Sequence, residues 1–270
     1  MERIISILLI TSIFAVSSFS KEIADVNQVD HLSMASLMIY DGRHDAAKEE
    51  LALVNKNDAS FDAAKFYTVS GVLNSKLDNH KNAVTNYKNA IEATKIKKFK
   101  APVVVTKEKY LFSFGNSKVE KKSTTPEYDG EAIRAEKISQ LYMYLSQSHY
   151  KIQDYKNTVL SLDAAGERGS DKAALYTLRA ECYWKLKEYS NAIHSLSVGS
   201  DKFPEDTLLL KQKFYYFADL KLYQAAIDAS KAYMAKAGSA SKEYIALAQI
   251  LIGANEINQA IILLEEAKLM

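Results

Sequence analysis

Small and apolar positions recur along this chain at one long period, and each period holds two amphipathic stretches. Tyr189-Ser190-Asn191-Ala192, Tyr223-Gln224-Ala225-Ala226 and Ile257-Asn258-Gln259-Ala260 place their alanines 34 residues apart. Tyr155-Lys156-Asn157-Thr158 lies one such step upstream of Ala192, while His44-Asp45-Ala46-Ala47 and His80-Lys81-Asn82-Ala83 are separated by 36. Twelve residues before the alanine stand Ala35, Gly71, Ser146, Ala180 and Ala248, small residues that let two helices approach closely. Four residues after it come Leu51, Tyr87, Leu162, Leu196 and Leu264, and seven after it Val54, Ala90, Ala165, Gly199 and Ala267. Apolar spacings of three and four mark one face of a helix, so each period predicts two helices joined by a short turn such as Lys185–Glu188. The fifth period departs from the pattern: Phe214 takes the small position and Ser230 the bulky one, which predicts an unusual helix contact there.

Tyr176, Ala180, Tyr183, Tyr189, Ala192, Leu196, Gly199 and Pro204 in the fourth period, with Tyr67, Gly71, Ala83, Tyr87 and Ala90 in the second, carry a family likeness. The chain resembles the tetratricopeptide repeat (TPR) family. That resemblance implies an all-α, right-handed solenoid of antiparallel helix pairs, here six repeats over 28–96 and 132–270. It implies protein–protein interaction and no reaction. In that family the first helix of each pair lines a concave surface at positions 2, 5, 9 and 12 of the repeat. The third repeat would present Gln140, Met143, Gln147 and Tyr150 there; the fourth Ala174, Thr177, Glu181 and Trp184; the fifth Leu208, Lys211, Tyr215 and Ala218. Tyr150, Trp184 and Tyr215 are the expected anchors of this groove, since Tyr and Trp concentrate interface energy. The competing reading is that these rings pack between repeats. Some family members clamp a terminal carboxylate with Lys and Asn at positions 5 and 9. Thr68 and Val72, Met143 and Gln147, and Thr177 and Glu181 occupy them here, so that use is not implied.

Residues 97–131 interrupt the array between the N-terminal pair of repeats (21–96) and the remaining four (132–270). Val103-Val104-Val105 is β-branched, Tyr110, Phe112 and Phe114 alternate with Lys109, Leu111 and Ser113, and Gly115-Asn116 suits a two-residue turn. Pro102 and Pro126 oppose a continuous helix, so an extended or hairpin insertion is expected. Nine lysines between Lys95 and Lys122, against Glu108 and Glu120, surround the aromatics Tyr110, Phe112 and Phe114 and suit an anionic protein, glycan or lipid surface. A solvated face is the plainer reading.

The two ends have characters of their own. Ile4–Val16 is an apolar run after Arg3, followed by Ser17-Ser18-Phe19-Ser20, the layout of a secretory signal over 1–20 with cleavage after Ser20. Export to a periplasm is the expected destination if the source is a Gram-negative bacterium, with a retained N-terminal anchor as the alternative. Near the other end, Ile261 and Ile262 accompany the core-facing Leu263 and Leu264 and predict a surface for a partner or a second copy.

Composition adds exclusions more than assignments. Three Pro and nine Gly in 270 residues favour helix, and a net charge of +2 implies neither nucleic acid nor membrane as partner. Cys182, the sole cysteine, excludes an internal disulfide and a thiolate metal cluster and reads as a buried small residue. His31, His44, His80, His149 and His194 show no metal-binding spacing, and His44 and His80 stand where Tyr155, Tyr189 and Tyr223 stand in other repeats. No nucleophile elbow or phosphate loop is present, so no enzyme activity and no cofactor are expected.

Overall fold

The computed structural model describes residues 30–99, 130–237 and 241–267. Residues 31–97 with 131–270 form one unit, the helical array; residues 1–30 with 98–130 belong to a second. Twelve helices run through the described residues: α1 (His31–Tyr40), α2 (His44–Ala52), α3 (Ala63–Lys76), α4 (His80–Ile96), α5 (Gly130–Lys151), α6 (Tyr155–Gly166), α7 (Ala173–Lys185), α8 (Tyr189–Lys202), α9 (Thr207–Asp219), α10 (Tyr223–Ala237), α11 (Ser241–Gly253) and α12 (Ile257–Ala267). The odd-numbered helix is the first of each repeat and the even-numbered one the second. The expected all-α solenoid is therefore what forms, with helices paired within repeats and packed on the next repeat. Among the described residues there is no strand, and no helix is long and apolar enough to cross a membrane. The expected hairpin, including Tyr110, Phe112 and Phe114, and the expected signal segment lie outside the described residues.

The recurring alanines are what lets the helices close up. Ala35, Ala180 and Ala248 of the first helices, and Ala47, Ala83, Ala192, Ala226 and Ala260 of the second, are essentially without solvent contact. A Cβ added to Gly71 would meet the Tyr87 ring at 2.6 Å, and one added to Gly199 would meet Tyr176 Cβ at 2.7 Å. Bulky partners fill the complementary position, with Tyr87, Leu162 and Leu196 fully buried. The fifth repeat reverses the sizes: Phe214 and Ser230 are both 1 % exposed, a large residue on α9 matched by a small one on α10. The exchange keeps the volume of the layer roughly constant, which is what close-packed interiors require.

Apolar clusters follow one another along the array. Leu32, Ala35, Ile39, Phe66, Val69 and Leu73 join the first two repeats. Ala83, Tyr87, Ile91, Ile138, Leu141 and Leu145 join the second to the third, so the stack continues across the insertion. Leu162, Leu175, Tyr176, Leu196, Leu209 and Tyr216 tie the third, fourth and fifth, and Phe214, Ile227, Leu247 and Ile250 the fifth and sixth.

Each turn within a repeat uses the same backbone device. Gly42, Asp78, Gln153, Lys187, Lys221 and Asn255 occupy equivalent repeat positions, and all have positive φ, between 56° and 75°. The next residue then donates its N–H back to the helix, as Glu188 does to the Tyr183 carbonyl at 2.9 Å and Leu222 to that of Phe217 at 3.0 Å. This is the left-handed C-terminal cap that glycine serves without strain; five of the six repeats place a side chain there.

Candidate functional site

The face predicted to bind partners lies on the first helices, and the structure divides its residues into two groups. Tyr150, Glu181 and Trp184 tie one repeat to the next. The Tyr150 hydroxyl donates to Glu181 Oε1 at 2.5 Å, from α5 to α7, and the Tyr150 ring meets Tyr155 edge-on at 5.8 Å. Burial and the neighbouring Glu181 carboxylate raise the phenol's pKa well above the ordinary range. Trp184 stacks on Tyr216 of α9, with ring centroids 3.9 Å apart and planes 21° apart, and takes Tyr189 edge-on at 4.8 Å. Gln212 holds that joint from the side, donating to the Tyr216 hydroxyl at 2.9 Å and to the Thr177 carbonyl at 3.4 Å. Lys211 stands 3.7 Å from the buried Glu243 of α11 and over the Tyr233 ring.

The second group stays open to solvent. Gln140, Leu208 and Tyr215 are exposed; Met143, Gln147 and Thr177 are half-buried, Met143 against the cluster around Leu162 and Tyr176. Tyr215 is 40 % exposed and leans on Phe214, ring centroids 4.6 Å apart, so its position is set by packing while one side remains free. Sequence reasoning stopped at the fifth repeat and missed the same face of the sixth. One further step of 34 residues from Lys211 and Ala218 leads to Ile245 and Ile252, which are 48 % and 52 % exposed. Leu208, Tyr215, Ile245 and Ile252 thus give the last two repeats an apolar first-helix face.

The end of α4 and the start of α5 are tied together. Arg134 Nη2 donates to the Lys97 carbonyl at 2.9 Å, and Lys97 Nζ to Asp62 Oδ2 at 2.5 Å. Arg134 also pairs with Glu131. The end of α4 and the start of α5 therefore lie side by side, and Tyr87 of α4 stacks on Tyr144 of α5, 5.5 Å apart.

Titratable groups elsewhere act structurally. The Cys182 thiol is buried, and that burial pushes its pKa up to about 12, so it is a packing residue of the kind expected. His149 is buried on α5 with Nδ1 3.4 Å from Asp154 Oδ2, and its pKa is lowered by burial. No cluster of three potential metal ligands occurs among the described residues.

No family model matches the chain, and no curated protein matches it in sequence. Solved structures do match its fold. A crystal structure of MamA is 11 % identical, with a TM-score of 0.55 over 76 % of this chain and 90 % of that one. MamA from Desulfovibrio magneticus RS-1, residues 41 to the end, is 11 % identical with a TM-score of 0.53 over 78 % and 96 %. YrrB, described as a TPR protein with an unusual peptide-binding site, is 15 % identical with a TM-score of 0.50 over 83 % and 90 %. This chain has the tetratricopeptide-repeat fold. The likeness shows the architecture alone.

Proposed function

We propose that the protein is a non-enzymatic scaffold that binds an extended peptide or protein segment along the first-helix face of repeats three to six. The carrying observation is the set of exposed apolar side chains at Leu208, Tyr215, Ile245 and Ile252 on α9 and α11. Exposed apolar side chains grouped on one face are the ordinary mark of an interaction surface. Peptide binding by the TPR neighbour YrrB supports the class of ligand. Placement in a cell envelope rests on the N-terminal apolar run and the small residues through Ser20.

The test is capture from solubilised envelope by the immobilised chain, compared with Tyr215→Ala and Ile245→Ser variants. Loss of specific partners in both variants, with unchanged helicity, supports the reading. Equal capture by all three overturns it.

A second reading, binding of an anionic envelope polymer through the lysine-rich insertion, is favoured by the nine lysines between Lys95 and Lys122 against Glu108 and Glu120. Removing residues 100–129 abolishes binding under this second reading and leaves it intact under the first.

A further inference from the structure

The first and last described repeats carry the two halves of the joint that links repeats inside the array. Between the fifth and sixth repeats, Ile227 on α10 packs in one cluster with Leu247 and Ile250 on α11. The same positions share a cluster elsewhere: Ile193 on α8 with Tyr216 on α9, and Val84 on α4 with Leu145 on the following first helix. Stepping by the repeat, the position of Ile250 is held by Leu73, Ser148, Cys182 and Tyr216, all buried. In the first repeat it is held by Leu37, which is 50 % exposed. Met34, also exposed, holds the position of the buried Ser70, Leu145 and Leu247 and of the half-buried Arg179 and Lys213.

The outgoing half of the joint behaves in the same way. Val159 and Ile227 are buried and Val84 and Ile193 half-buried, whereas their counterpart on α12, Ile261, is 50 % exposed. Leu264 is likewise half-buried where Leu162 and Leu196 are fully buried.

We infer that copies of this chain associate head to tail, α12 of one copy packing on α1 of the next through Ile261 and Leu264 against Met34 and Leu37. The occupant follows from the repeat. A surface that receives Ile227 inside the molecule is matched in side-chain size and apolar character by the one around Leu37, and the donor of that contact recurs at Ile261. A contact between two different faces repeats without self-limiting, so the product is an open string or a closed ring rather than a symmetric dimer. The inference rests on the repeat positions, not on the peptide-binding face, and Tyr215→Ala leaves it untouched.

The test is sedimentation of the full chain from the micromolar to the millimolar range, with Leu37→Lys and Ile261→Lys variants. The unaltered chain gains mass with concentration, and each variant alone is a monomer. An equimolar mixture of the two variants forms a one-to-one dimer and nothing larger, because one intact head meets one intact tail and both outer faces carry lysine. A constant monomer mass of the unaltered chain, association of either variant alone, or no dimer in the mixture overturns the inference. If either lysine variant loses helicity, Met34→Cys and Ile261→Cys chains replace them: an oxidised heterodimer in the mixture supports the contact, and its absence overturns it. Buried Cys182 stays outside that reaction.

Discussion

Gly71 on α3 lies against the ring of Tyr87 on α4, so closely that an added Cβ would sit 2.6 Å from Cε1 and 2.7 Å from Cδ1. Tyr87 has no room to retreat: it is 2 % exposed, stacks on Tyr144, and its hydroxyl lies 3.2 Å from Ser75 Oγ. Gly71→Ala is therefore expected to destabilise the second repeat by about 1–3 kcal/mol, the usual range for overpacking. Other repeats show the remedy, since Ala180 is paired with Leu196. The double variant Gly71→Ala, Tyr87→Leu should recover much of the loss, as read by thermal unfolding. No recovery means that the crowding lies elsewhere.

Trp184 and Tyr215 separate joint from surface. Trp184→Ala removes the stack on Tyr216 and is expected to cost about 2–4 kcal/mol, as for a large aromatic truncated in a packed setting. Tyr215→Ala, at an exposed position, should change stability by less than about 1 kcal/mol. Chemical denaturation measures both. Trp184 is the chain's single tryptophan, so its fluorescence in the unaltered chain follows the joint between the fourth and fifth repeats directly.

The within-repeat turns offer a stabilising change. Lys187 has φ of 63°, a region that costs a residue with a side chain about 1–2 kcal/mol and glycine almost nothing. Lys187→Gly should raise the unfolding temperature despite glycine's greater freedom when unfolded, and Gly42→Ala should lower it. Calorimetry of both variants decides the sign.

His149 makes stability depend on pH. Burial lowers its pKa from the ordinary value near 6.5, only partly opposed by Asp154, so the folded state prefers the neutral ring. The unfolded chain then binds more protons just below pH 6.5. Stability present at pH 8 is lost as pH falls through that region, by at most about 1.4 kcal/mol per pH unit for one proton. Asp154, whose pKa is lowered chiefly by its Asn157 hydrogen bond, adds a further loss only at more acidic pH. His149→Phe, matching Phe217 at the equivalent position, should flatten the profile between pH 8 and pH 5.5. An unchanged slope would refute this assignment.

The repeat, its helix pairs and its close contacts were legible in the chain because each follows from one periodic demand: a small residue wherever two helices touch. Even the misfit of the fifth repeat was visible, although not that Phe214 and Ser230 compensate each other. The left-handed turns were not visible, since Lys187, Lys221 and Gln153 carry no local mark of positive φ. The candidate groove was half legible. The family resemblance implied that Tyr150, Trp184 and Tyr215 line one surface of the first helices. The stacking of successive first helices decided that Trp184 meets Tyr216 and Tyr150 meets Glu181, while Tyr215 keeps a free side. Ile261 was legible as apolar and exposed from its position in sequence; that Leu37 is left exposed where Leu73, Ser148, Cys182, Tyr216 and Ile250 are buried was decided by the fold. The sequence by itself determined which residues share a face. Only the tertiary structure decided which faces are spent on neighbours, because burial depends on what the adjoining helix brings to the contact.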